Sequence, residues 1–520
     1  MTFERVFEHI VKAYEGDEFL IFYENGTRKV MTKDEYVAKT NAIAAALEPY
    51  FADIPKHSWV GIKVGNDPYW FSTFFALLEI GYKVILLDNN YQKESILAFK
   101  EQSDMKAIVA DKADTYEGIK GIPYNEIRNA KGSEPKDTCW ESKIAFCTSG
   151  TTGNAKMYVF YADTVEYQSI NIGGYFRNNE EMLATRGDRK VSESYTLLTQ
   201  PFRHCLGFGL PLAFWRGGFP CVMAKEPGIF GIANACKDDK IWLFISVPAV
   251  WKSLLLMANK RYGDMSSESL RKLLGNTLTA SASAGAILDE VSAARLKAID
   301  IDIMNGWGMT ETGFVTIGSI SNDDSLDYVG DYYNKHHAMI MGKDGNLTES
   351  GYGELYINGK AMYDALLISG EEHKRDENEY FATGDIFELH GNSFYFKGRC
   401  KNVIINDNGE NIYPEELDAH FAELSDHVSQ FCTAEYDNKP CLYISTKDYT
   451  NFDEHDIFDK LIDRNNKLPM GQRVSRVITT PLTFPLTGKA EISRISVKQF
   501  VIDNKEQTKE FSLVKKGHYL

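Results

Sequence analysis

Residues 144–156 read IAFCTSGTTGNAK, and this stretch decides the fold class and the first functional hypothesis. An apolar run at residues 144–147 leads into a segment of hydroxyl side chains and glycines, followed by Lys156. Glycines allow positive φ and a close approach of the backbone, while hydroxyl and N–H groups can surround an anion. The stretch therefore predicts a strand followed by a polyphosphate-binding loop. It is not a Walker A loop, because the glycine spacing and the GK[ST] ending are absent.

Helix-like and strand-like segments alternate around this loop. The predicted helices are residues 33–47, 69–80 and 93–102, and the predicted strands are residues 59–63, 82–87 and 107–110. The same alternation resumes from residue 163 to about residue 303. Strands that alternate with helices of roughly ten residues are typical of parallel βαβ units, with helices on both faces of the sheet. We therefore expect a large α/β body of layered subdomains.

The pattern of predicted helices and strands changes after about residue 322. Residues 342–353 are rich in turn formers, and short alternating strands at 354–357 and 394–397 predict a small β subdomain. A second change near Arg399 introduces helix, strand and helix again, at 414–424, 441–445 and 453–467. We expect an N-terminal core over residues 1–400 and a small, mobile α+β domain over residues 401–520.

Composition excludes several classes of function. Lys plus Arg total 57 against 73 for Asp plus Glu, so the formal charge is −16, which argues against a nucleic acid or an anionic membrane as the main partner. The N-terminus reads as an amphipathic helix rather than a signal peptide, and the most apolar stretch, residues 241–251, is well short of the roughly 18 residues that span a bilayer. The eight cysteines contain no CxxC pair, which indicates reduced, mostly buried thiols. We expect a cytoplasmic protein without integral membrane association.

Further motifs follow the first in a fixed order. They are QPFRHCLGFG (200–209), SASAGAILDE (281–290), NGWGMTETG (305–313), YFATGD (380–385), GRCKNVIINDNGENIYPEELD (398–418) and PLTGKAEISR (485–494). Together with TSGTTGNAK (148–156), they resemble the signature motifs of the superfamily of acyl-CoA synthetases, adenylation domains and firefly luciferase. The resemblance covers almost the whole chain and is based on the order and spacing of the motifs.

The resemblance implies a nucleotide site. The implied phosphate-loop residues are Thr148, Ser149, Gly150, Thr151, Thr152, Gly153 and Lys156. Gly285 and Ala286 would line the adenine and acyl pockets, and Asn305, Gly306 and Trp307 belong to the central nucleotide motif. By the same match, Trp307 stacks on adenine where the superfamily usually has tyrosine, Thr310 contacts the α-phosphate and Glu311 binds magnesium.

The later motifs imply the ribose site and a hinge. Asp385 would accept the two ribose hydroxyls, which suits a carboxylate because both vicinal hydroxyls can donate to it. Arg399 would contact the ribose or a phosphate. The resemblance places a hinge of the C-terminal domain at Lys401 and the border of a thiol tunnel at Gly409.

Two residues are implied near the reacting carboxylate. Lys489 matches the superfamily's catalytic lysine, where a fixed cation can bridge the carboxylate and the charge developing at the α-phosphate. The sequence departs from the pattern there, because the proline is closer to the lysine and the usual arginine is displaced to Arg494. His204 matches a histidine near the acyl pocket, with a gating or pocket-lining role and a structural, hydrogen-bonded role both open.

The function implied is activation of a fatty or aryl carboxylic acid by ATP and Mg²⁺ to an acyl-AMP, with transfer to a thiol, most simply CoA. Met309 in GMTE favours an acyl- or aryl-CoA ligase, because amino-acid-activating members more often read GPTE. The alternatives are a stand-alone enzyme that loads a phosphopantetheinyl carrier protein, a non-catalytic nucleotide-binding protein, and a luciferase-like oxygenase. The expected partners are a small carboxylic acid and CoA or a carrier protein.

Overall fold

The structure is a computed structural model of the chain. It describes residues 1–111, 116–148, 156–264, 266–284, 288, 290–320, 325, 327–332, 337–342, 344–405, 411–447, 454–487 and 491–513. Within these ranges, none of the helices combines the length and the apolarity that a bilayer-spanning segment requires.

Helices occur along the whole chain. They are α1 (Phe3–Ala13), α2 (Lys33–Leu47), α3 (Trp70–Glu79), α4 (Lys93–Ser103), α5 (Tyr124–Ile127), α6 (Ala162–Asn178), α7 (Glu180–Arg186), α8 (Cys205–Gly217), α9 (Gly228–Asp238), α10 (Pro248–Tyr262), α11 (Ser267–Leu274), α12 (Glu290–Lys297), α13 (Pro414–His420), α14 (Glu454–Asn465) and α15 (Arg494–Asp503).

The strands alternate with these helices in the first half and follow one another in the second. They are β1 (Leu20–Glu24), β2 (Thr27–Met31), β3 (Trp59–Lys63), β4 (Lys83–Leu86), β5 (Ala107–Ala110), β6 (Lys120–Pro123), β7 (Lys143–Thr148), β8 (Lys156–Tyr161), β9 (Tyr195–Leu198), β10 (Cys221–Met223), β11 (Ile241–Ser246), β12 (Ala280–Ala284), β13 (Asp302–Met309), β14 (Gly313–Ser319), β15 (Tyr328–Tyr332), β16 (His337–Met341), β17 (Leu347–Thr348), β18 (Gly351–Asn358), β19 (Ala365–Ile368), β20 (Glu371–Lys374), β21 (Phe381–His390), β22 (Ser393–Arg399), β23 (Ile404–Ile405), β24 (Asn411–Ile412), β25 (Gln430–Tyr436), β26 (Lys439–Ser445), β27 (Arg476–Thr480) and β28 (Lys509–Ser512).

Two large sheets form the N-terminal body. Sheet A has the order β17-β16-β18-β21-β22-β15-β14-β13-β12-β11-β9-β10-β1-β2, and sheet B has the order β20-β19-β8-β7-β4-β3-β5-β6. The strands from β13 through β10 to β1 in sheet A are parallel, as are β6, β5, β3, β4 and β7 in sheet B. Because parallel strands end at one edge, the parallel strands of each sheet share a single carboxyl edge.

The sheets share one layer of helices. The largest core cluster contains residues of both sheets together with residues of α1, α2, α3, α6 and α8. A second cluster packs α9, α10, α11 and α12 against the other face of sheet A, and a third packs α4 against the other face of sheet B. The α/β class predicted from the sequence, with helices on both faces of parallel sheets, is confirmed.

Local signals explain why several predicted elements match the structure. In α2, Thr32 caps the helix by accepting from the N–H of Glu35, whose side chain accepts from the Thr32 N–H in return. In β3, Val60 and Ile62 face the shared helical layer while Trp59 joins the cluster on the other face, which is the alternation of a strand buried on both sides. The predicted bounds 33–47 and 59–63 are those of α2 and β3.

The later part of the chain builds the predicted β-rich region and a separate sheet. Strands β14 to β18, β21 and β22 continue sheet A as antiparallel strands around a core of their own. A sheet of order β25-β26-β27-β28, with cores built from residues 404–513, follows. The helix expected over residues 414–424 is wrong in part, because α13 ends at His420 and a short 3-10 helix covers Ala422–Asp426.

One buried carboxyl group makes stability depend on pH. Glu79 ends α3, its side chain is buried, and its Oε2 has no hydrogen-bond partner among the described residues. Burial, followed by the charges of Glu4 and Glu134, raises the pKa of Glu79 to about 7. Since this folded-state pKa is above the ordinary value of 4.5, the folded protein binds the extra proton between these two values. Stability is therefore lost as pH rises through that window.

We expect Glu79→Gln to stabilise the fold at pH 8 by about 1–3 kcal/mol and to change it little at pH 5, because glutamine replaces the ionised group but resembles the protonated one. Denaturant unfolding at the two pH values measures the difference. The control is Glu94→Gln on the exposed face of α4, for which no such difference is expected. A Glu79→Gln effect of the same size at both pH values would contradict this account.

Candidate functional site

The carboxyl edges of the two sheets meet at the segment before α8. Asn66, which follows β3, donates from Nδ2 to the Gln200 carbonyl at 2.8 Å and accepts from the Phe202 N–H at 2.9 Å. Arg203 forms an ion pair with Asp88, which follows β4, at 2.5 Å. Residues at the carboxyl edge of sheet B therefore hold the segment that carries the predicted His204.

The predicted phosphate segment begins at this edge. Thr148 is the last residue of β7 and Lys156 the first of β8, and the two are paired across the antiparallel ladder. Thr148 is half-buried and Lys156 is exposed. The two ends of the segment thus lie side by side, beyond the carboxyl end of a parallel strand, which is where ligands bind in open α/β sheets.

Several predicted residues lie outside the described part of the chain, and their roles stay predictions. They are Ser149, Gly150, Thr151, Thr152, Gly153, Gly285, Ala286, Gly409 and Lys489.

A tight turn between β13 and β14 carries Thr310. The Met309 N–H donates to Thr312 Oγ1 at 3.0 Å, and the Thr312 side chain is fully buried. A Cβ at Gly308 would lie 2.3 Å from the Gly313 carbonyl oxygen, so only glycine allows the two strands to approach this closely. The Thr310 hydroxyl lies 3.8 Å from Cys205 Sγ at the start of α8. The turn therefore places Thr310 beside the His204 segment.

Glu311, in the same turn, joins the two sheets. The Glu311 backbone carbonyl accepts from the Tyr363 N–H at 3.0 Å, and the Tyr363 ring packs edge-to-face on Tyr158 of β8 with centroids 5.0 Å apart. Burial, followed by the charge of the Glu311 carboxylate, raises the pKa of Tyr158. Tyr158 lies two residues after Lys156, so the predicted magnesium ligand on sheet A is next to the strand that leaves the predicted phosphate segment on sheet B.

Asp385 is held on both oxygens. The Trp307 Nε1–H donates to Asp385 Oδ2 at 3.0 Å, and Arg399 Nε lies 3.4 Å from Oδ1. Asp385 and Arg399 are partners in the ladder between β21 and β22, whereas Trp307 reaches across from β13. The structure thus brings together three residues that the sequence predicted in three separate motifs.

Asn305 and Gly306 lie inside sheet A. Asn305 is buried, and its Nδ2 donates to the Tyr328 carbonyl at 3.1 Å. In the ladder between β12 and β13, Asn305 pairs with Ser283 and Gly306 with Ala284. The two residues therefore connect the central motif with the strand that leads into the predicted adenine segment at Gly285 and Ala286.

His204 is the N-cap residue of α8 and its side chain is exposed. The preceding segment is also tied to sheet A, since Gln200 Nε2 donates to Ser246 Oγ at 3.2 Å and Thr199 Oγ1 donates to the Ile245 carbonyl at 2.8 Å. His204 is therefore presented by a segment held from both sheets, and its gating or pocket-lining role stays a prediction.

The described residues fit a magnesium ion that is held mainly by its nucleotide. Across the described ranges, no group of three or more His, Cys, Asp or Glu side chains could form a metal cage. Mg²⁺ is usually bound by one or two carboxylates together with substrate phosphates, rather than by an all-protein site. A single carboxylate such as that of Glu311, in the turn between β13 and β14, matches that requirement.

The predicted hinge is connected to the segment that carries Lys489. Lys401 is exposed in a short 3-10 helix, Cys400–Asn402. Asn402 Nδ2 donates to Glu415 Oε1 at 2.6 Å, and the same oxygen lies 3.5 Å from Arg494 Nη1. Arg494 therefore links the hinge to the end of the terminal motif.

Arg494 lies two residues after an isolated β-bridge and is anchored to the C-terminal region. Leu486 and Ile492 form an antiparallel bridge on either side of the segment that contains Lys489. Arg494 forms an ion pair with Asp418 in α13, and its Nε donates to the Thr433 carbonyl at 3.0 Å. Burial raises the pKa of Asp418 to about 6, and Arg494 opposes that rise. The displaced arginine therefore has a structural partner inside the C-terminal region.

Sequence reasoning missed Asn66, Asp88, Tyr158 and Asp418. The first two follow strands of sheet B, and polar residues after buried parallel strands are a usable signal for a site. Tyr158 and Asp418 gave no such signal, because the charged residues that influence them, Glu311 and Arg494, are 153 and 76 residues away in the sequence.

Comparisons with known proteins identify a family model and several relatives. The sequence model of the family described as AMP-binding enzyme matches residues 7–366. A 2-succinylbenzoate–CoA ligase of Listeria innocua is 23% identical over 504 residues, covering 94% of this chain and 97% of the relative. A long-chain-fatty-acid–CoA ligase of Mycobacterium tuberculosis is 23% identical over 357 residues, covering 66% of this chain and 64% of the relative.

A solved structure shows the same fold. The o-succinylbenzoate CoA synthetase of Bacillus subtilis, in complex with its acyl-adenylate intermediate, superimposes with a TM-score of 0.75 at 16% sequence identity. The superposition covers 95% of this chain and 97% of that structure. The arrangement of both sheets and of the C-terminal region therefore has a counterpart of known structure.

We expect Arg494→Gln to lower the free energy of unfolding by about 2–3 kcal/mol, because the largely enclosed Asp418 carboxylate loses its cation. The loss should be larger at pH 8 than at pH 5, since Asp418 can be neutralised by a proton at the lower pH. Denaturant unfolding at both pH values measures it. Arg476→Gln is the control, because Arg476 pairs with the exposed Glu510 at 3.0 Å and should cost less than about 1 kcal/mol. Equal losses would contradict the structural role of Arg494.

Proposed function

The chain belongs to the AMP-binding enzyme family, and from this premise we propose that it is an AMP-forming ligase that activates a fatty or aryl carboxylic acid and transfers the acyl group to CoA. The cofactors are ATP and Mg²⁺. The proposal draws on the relatives of similar length, which are named as CoA ligases, and on the positions of the predicted residues around the edge where the two sheets meet.

The observation that carries the proposal is the hydrogen bond from the Tyr363 N–H to the Glu311 carbonyl, together with the packing of the Tyr363 ring on Tyr158. These contacts join the turn that bears Thr310 to the strand that follows the predicted phosphate segment. A triphosphate bound at Thr148 and Lys156 would then reach Thr310 and Glu311 without a rearrangement of either sheet. Attack of the substrate carboxylate on the triphosphate brings two anions together. Catalysis of this reaction depends on positioning both groups and on stabilising their charge, so it needs this proximity.

The first step forms a mixed anhydride. A carboxylate oxygen of the acid attacks the α-phosphorus of ATP, the bond to the β-phosphate oxygen breaks, and pyrophosphate leaves with that electron pair. The acid is already ionised, so no general base is needed. Thr310 and Lys489 are assigned to the α-phosphate and the carboxylate, where fixed donors and cations stabilise developing charge. Bound at Glu311, Mg²⁺ supplies charge neutralisation for the phosphates.

The second step moves the acyl group to sulfur. The thiol of CoA attacks the carbonyl carbon of the acyl-AMP, AMP leaves, and the thiol proton is released. Lys489 has no role in this step. We assign to residues 401–520 a rotation about Lys401 that removes Lys489 from the site and presents Gly409, a hinge transition between two arrangements. The exposed position of Lys401 between β22 and β23 is consistent with a hinge.

We expect ATP–pyrophosphate exchange with one class of acid from a panel of fatty, aryl, hydroxy and amino acids. Lys489→Ala should reduce the exchange rate by about 10²-fold or more, because a fixed cation at the transition state is lost. Lys498→Ala is the matched control. Lys498 lies on α15 and forms an ion pair with Glu435 at 3.1 Å, so its substitution should leave the exchange rate unchanged. AMP binding without exchange over the whole panel would favour the non-catalytic alternative. A requirement for a carrier protein in thioester formation would replace CoA as the acceptor.

Lys401→Pro should spare acyl-AMP formation and depress thioester formation, because proline fixes φ at the hinge. Separate assays of pyrophosphate exchange and of acyl-CoA release measure the two steps. Lys401→Ala keeps the backbone freedom and serves as the control. If the proline variant lost both steps equally, the assignment of the hinge to Lys401 would be wrong.

A further inference from the structure

The indole of Trp307 acts as a hydrogen-bond donor inside the protein. Its Nε1–H is 3.0 Å from Asp385 Oδ2, and only 8% of Trp307 and 2% of Asp385 are exposed. The ring packs edge-to-face against Phe387 with centroids 5.1 Å apart, and the Trp307 backbone N–H is bonded to Thr316 Oγ1 at 3.3 Å. The position of the indole N–H is therefore defined by contacts on several sides.

The bond joins strands that are far apart in the sheet. Trp307 is on β13 and Asp385 on β21, and the order of sheet A places β14, β15 and β22 between them. The sheet must therefore curve so that the two side chains meet across its concave side. One hydrogen bond thus connects the central nucleotide motif with the strand predicted to bind ribose.

The carboxylate of Asp385 is constrained at each oxygen. Oδ2 accepts from the indole, and Oδ1 faces the Arg399 guanidinium at 3.4 Å. The backbone is constrained as well, because the Asp385 N–H donates to Thr383 Oγ1 at 3.1 Å. The indole donor and the guanidinium, which come from different strands, restrict the plane of the carboxylate and hence the directions of its lone pairs.

We propose that Trp307 is a positioning residue that orients the Asp385 carboxylate for the ribose hydroxyls, so that the preference for ribonucleotides over 2′-deoxyribonucleotides depends on the indole N–H. This inference rests on the proposed function, since it takes a ribose as the ligand of Asp385. Recognition of a hydroxyl requires an acceptor already aimed at it, and a site built for that hydrogen bond rejects the analogue that lacks the hydroxyl. Stacking of adenine on Trp307 is a separate prediction.

The test compares the affinities of AMP and 2′-deoxy-AMP by calorimetry. We expect the wild-type protein to prefer AMP by roughly tenfold or more, as for hydrogen bonds to a charged group. Trp307→Phe keeps an aromatic ring but cannot donate, so the preference should fall to within about threefold. Loss of stacking or of general stability would weaken both nucleotides alike and leave the ratio unchanged.

The matched control is Trp242→Phe. Trp242 is fully buried, stacks on Phe219 and donates from Nε1 to Thr185 Oγ1 at 3.3 Å, away from Asp385. The same substitution there removes one buried hydrogen bond, and the nucleotide preference should stay at the wild-type value. Trp307→Tyr, which moves the donor to the tip of a six-membered ring, gives a second variant if Trp307→Phe does not fold, and it should also lose the preference.

The other outcomes would overturn the inference. An unchanged AMP preference in the folded Trp307 variants would show that the indole does not orient Asp385, while pyrophosphate exchange by the wild-type protein would leave the proposed function intact. Tighter AMP binding by Trp307→Phe would mean that the indole closes the site instead. Absence of both AMP binding and exchange in the wild-type protein would remove the proposed function and this inference together.

Discussion

The parallel strands of the two sheets present their carboxyl edges to each other, and the rest of the site depends on that constraint. A parallel sheet leaves the ends of its strands on one edge, and here both sheets pack on the same helical layer. Asn66 and Asp88 of sheet B consequently bond to the segment before α8, and Tyr363, whose ring packs on Tyr158, donates to the Glu311 carbonyl. Residues from distant parts of the sequence come into contact because the layers are stacked in this way.

Charges in the enclosed parts of the site are paired. Asp385 has Trp307 and Arg399, and Asp418 has Arg494. A buried carboxylate without partners would be costly, so each pair restricts where its strand or helix can lie. The pairs also connect functional motifs, since Arg494 lies between the predicted hinge and the segment of Lys489. Polar contacts therefore determine orientation here, while the apolar layers provide most of the driving force for folding.

Local sequence was enough for elements with a strong signal of their own. The bounds of α2 follow from the capping box at Thr32 and Glu35, and those of β3 from a short apolar run. The end of α13 was harder to predict from the sequence. Residues 414–424 have a helical pattern throughout, whereas the chain changes to a 3-10 helix at Ala422. That change depends on packing in the C-terminal core, which a periodicity argument does not contain.

The sequence by itself determined the α/β class, because periodicity is a property of short segments, and its motifs, in their order along the chain, carried the resemblance to the family. It also located Trp307, Asp385 and Arg399 as three separate candidates. Only the tertiary structure decided that the indole N–H and the guanidinium share one carboxylate, since that contact requires the curvature of a sheet in which three strands separate β13 from β21. Long-range polar contacts of this kind depend on how layers pack, and no local pattern in the chain encodes them.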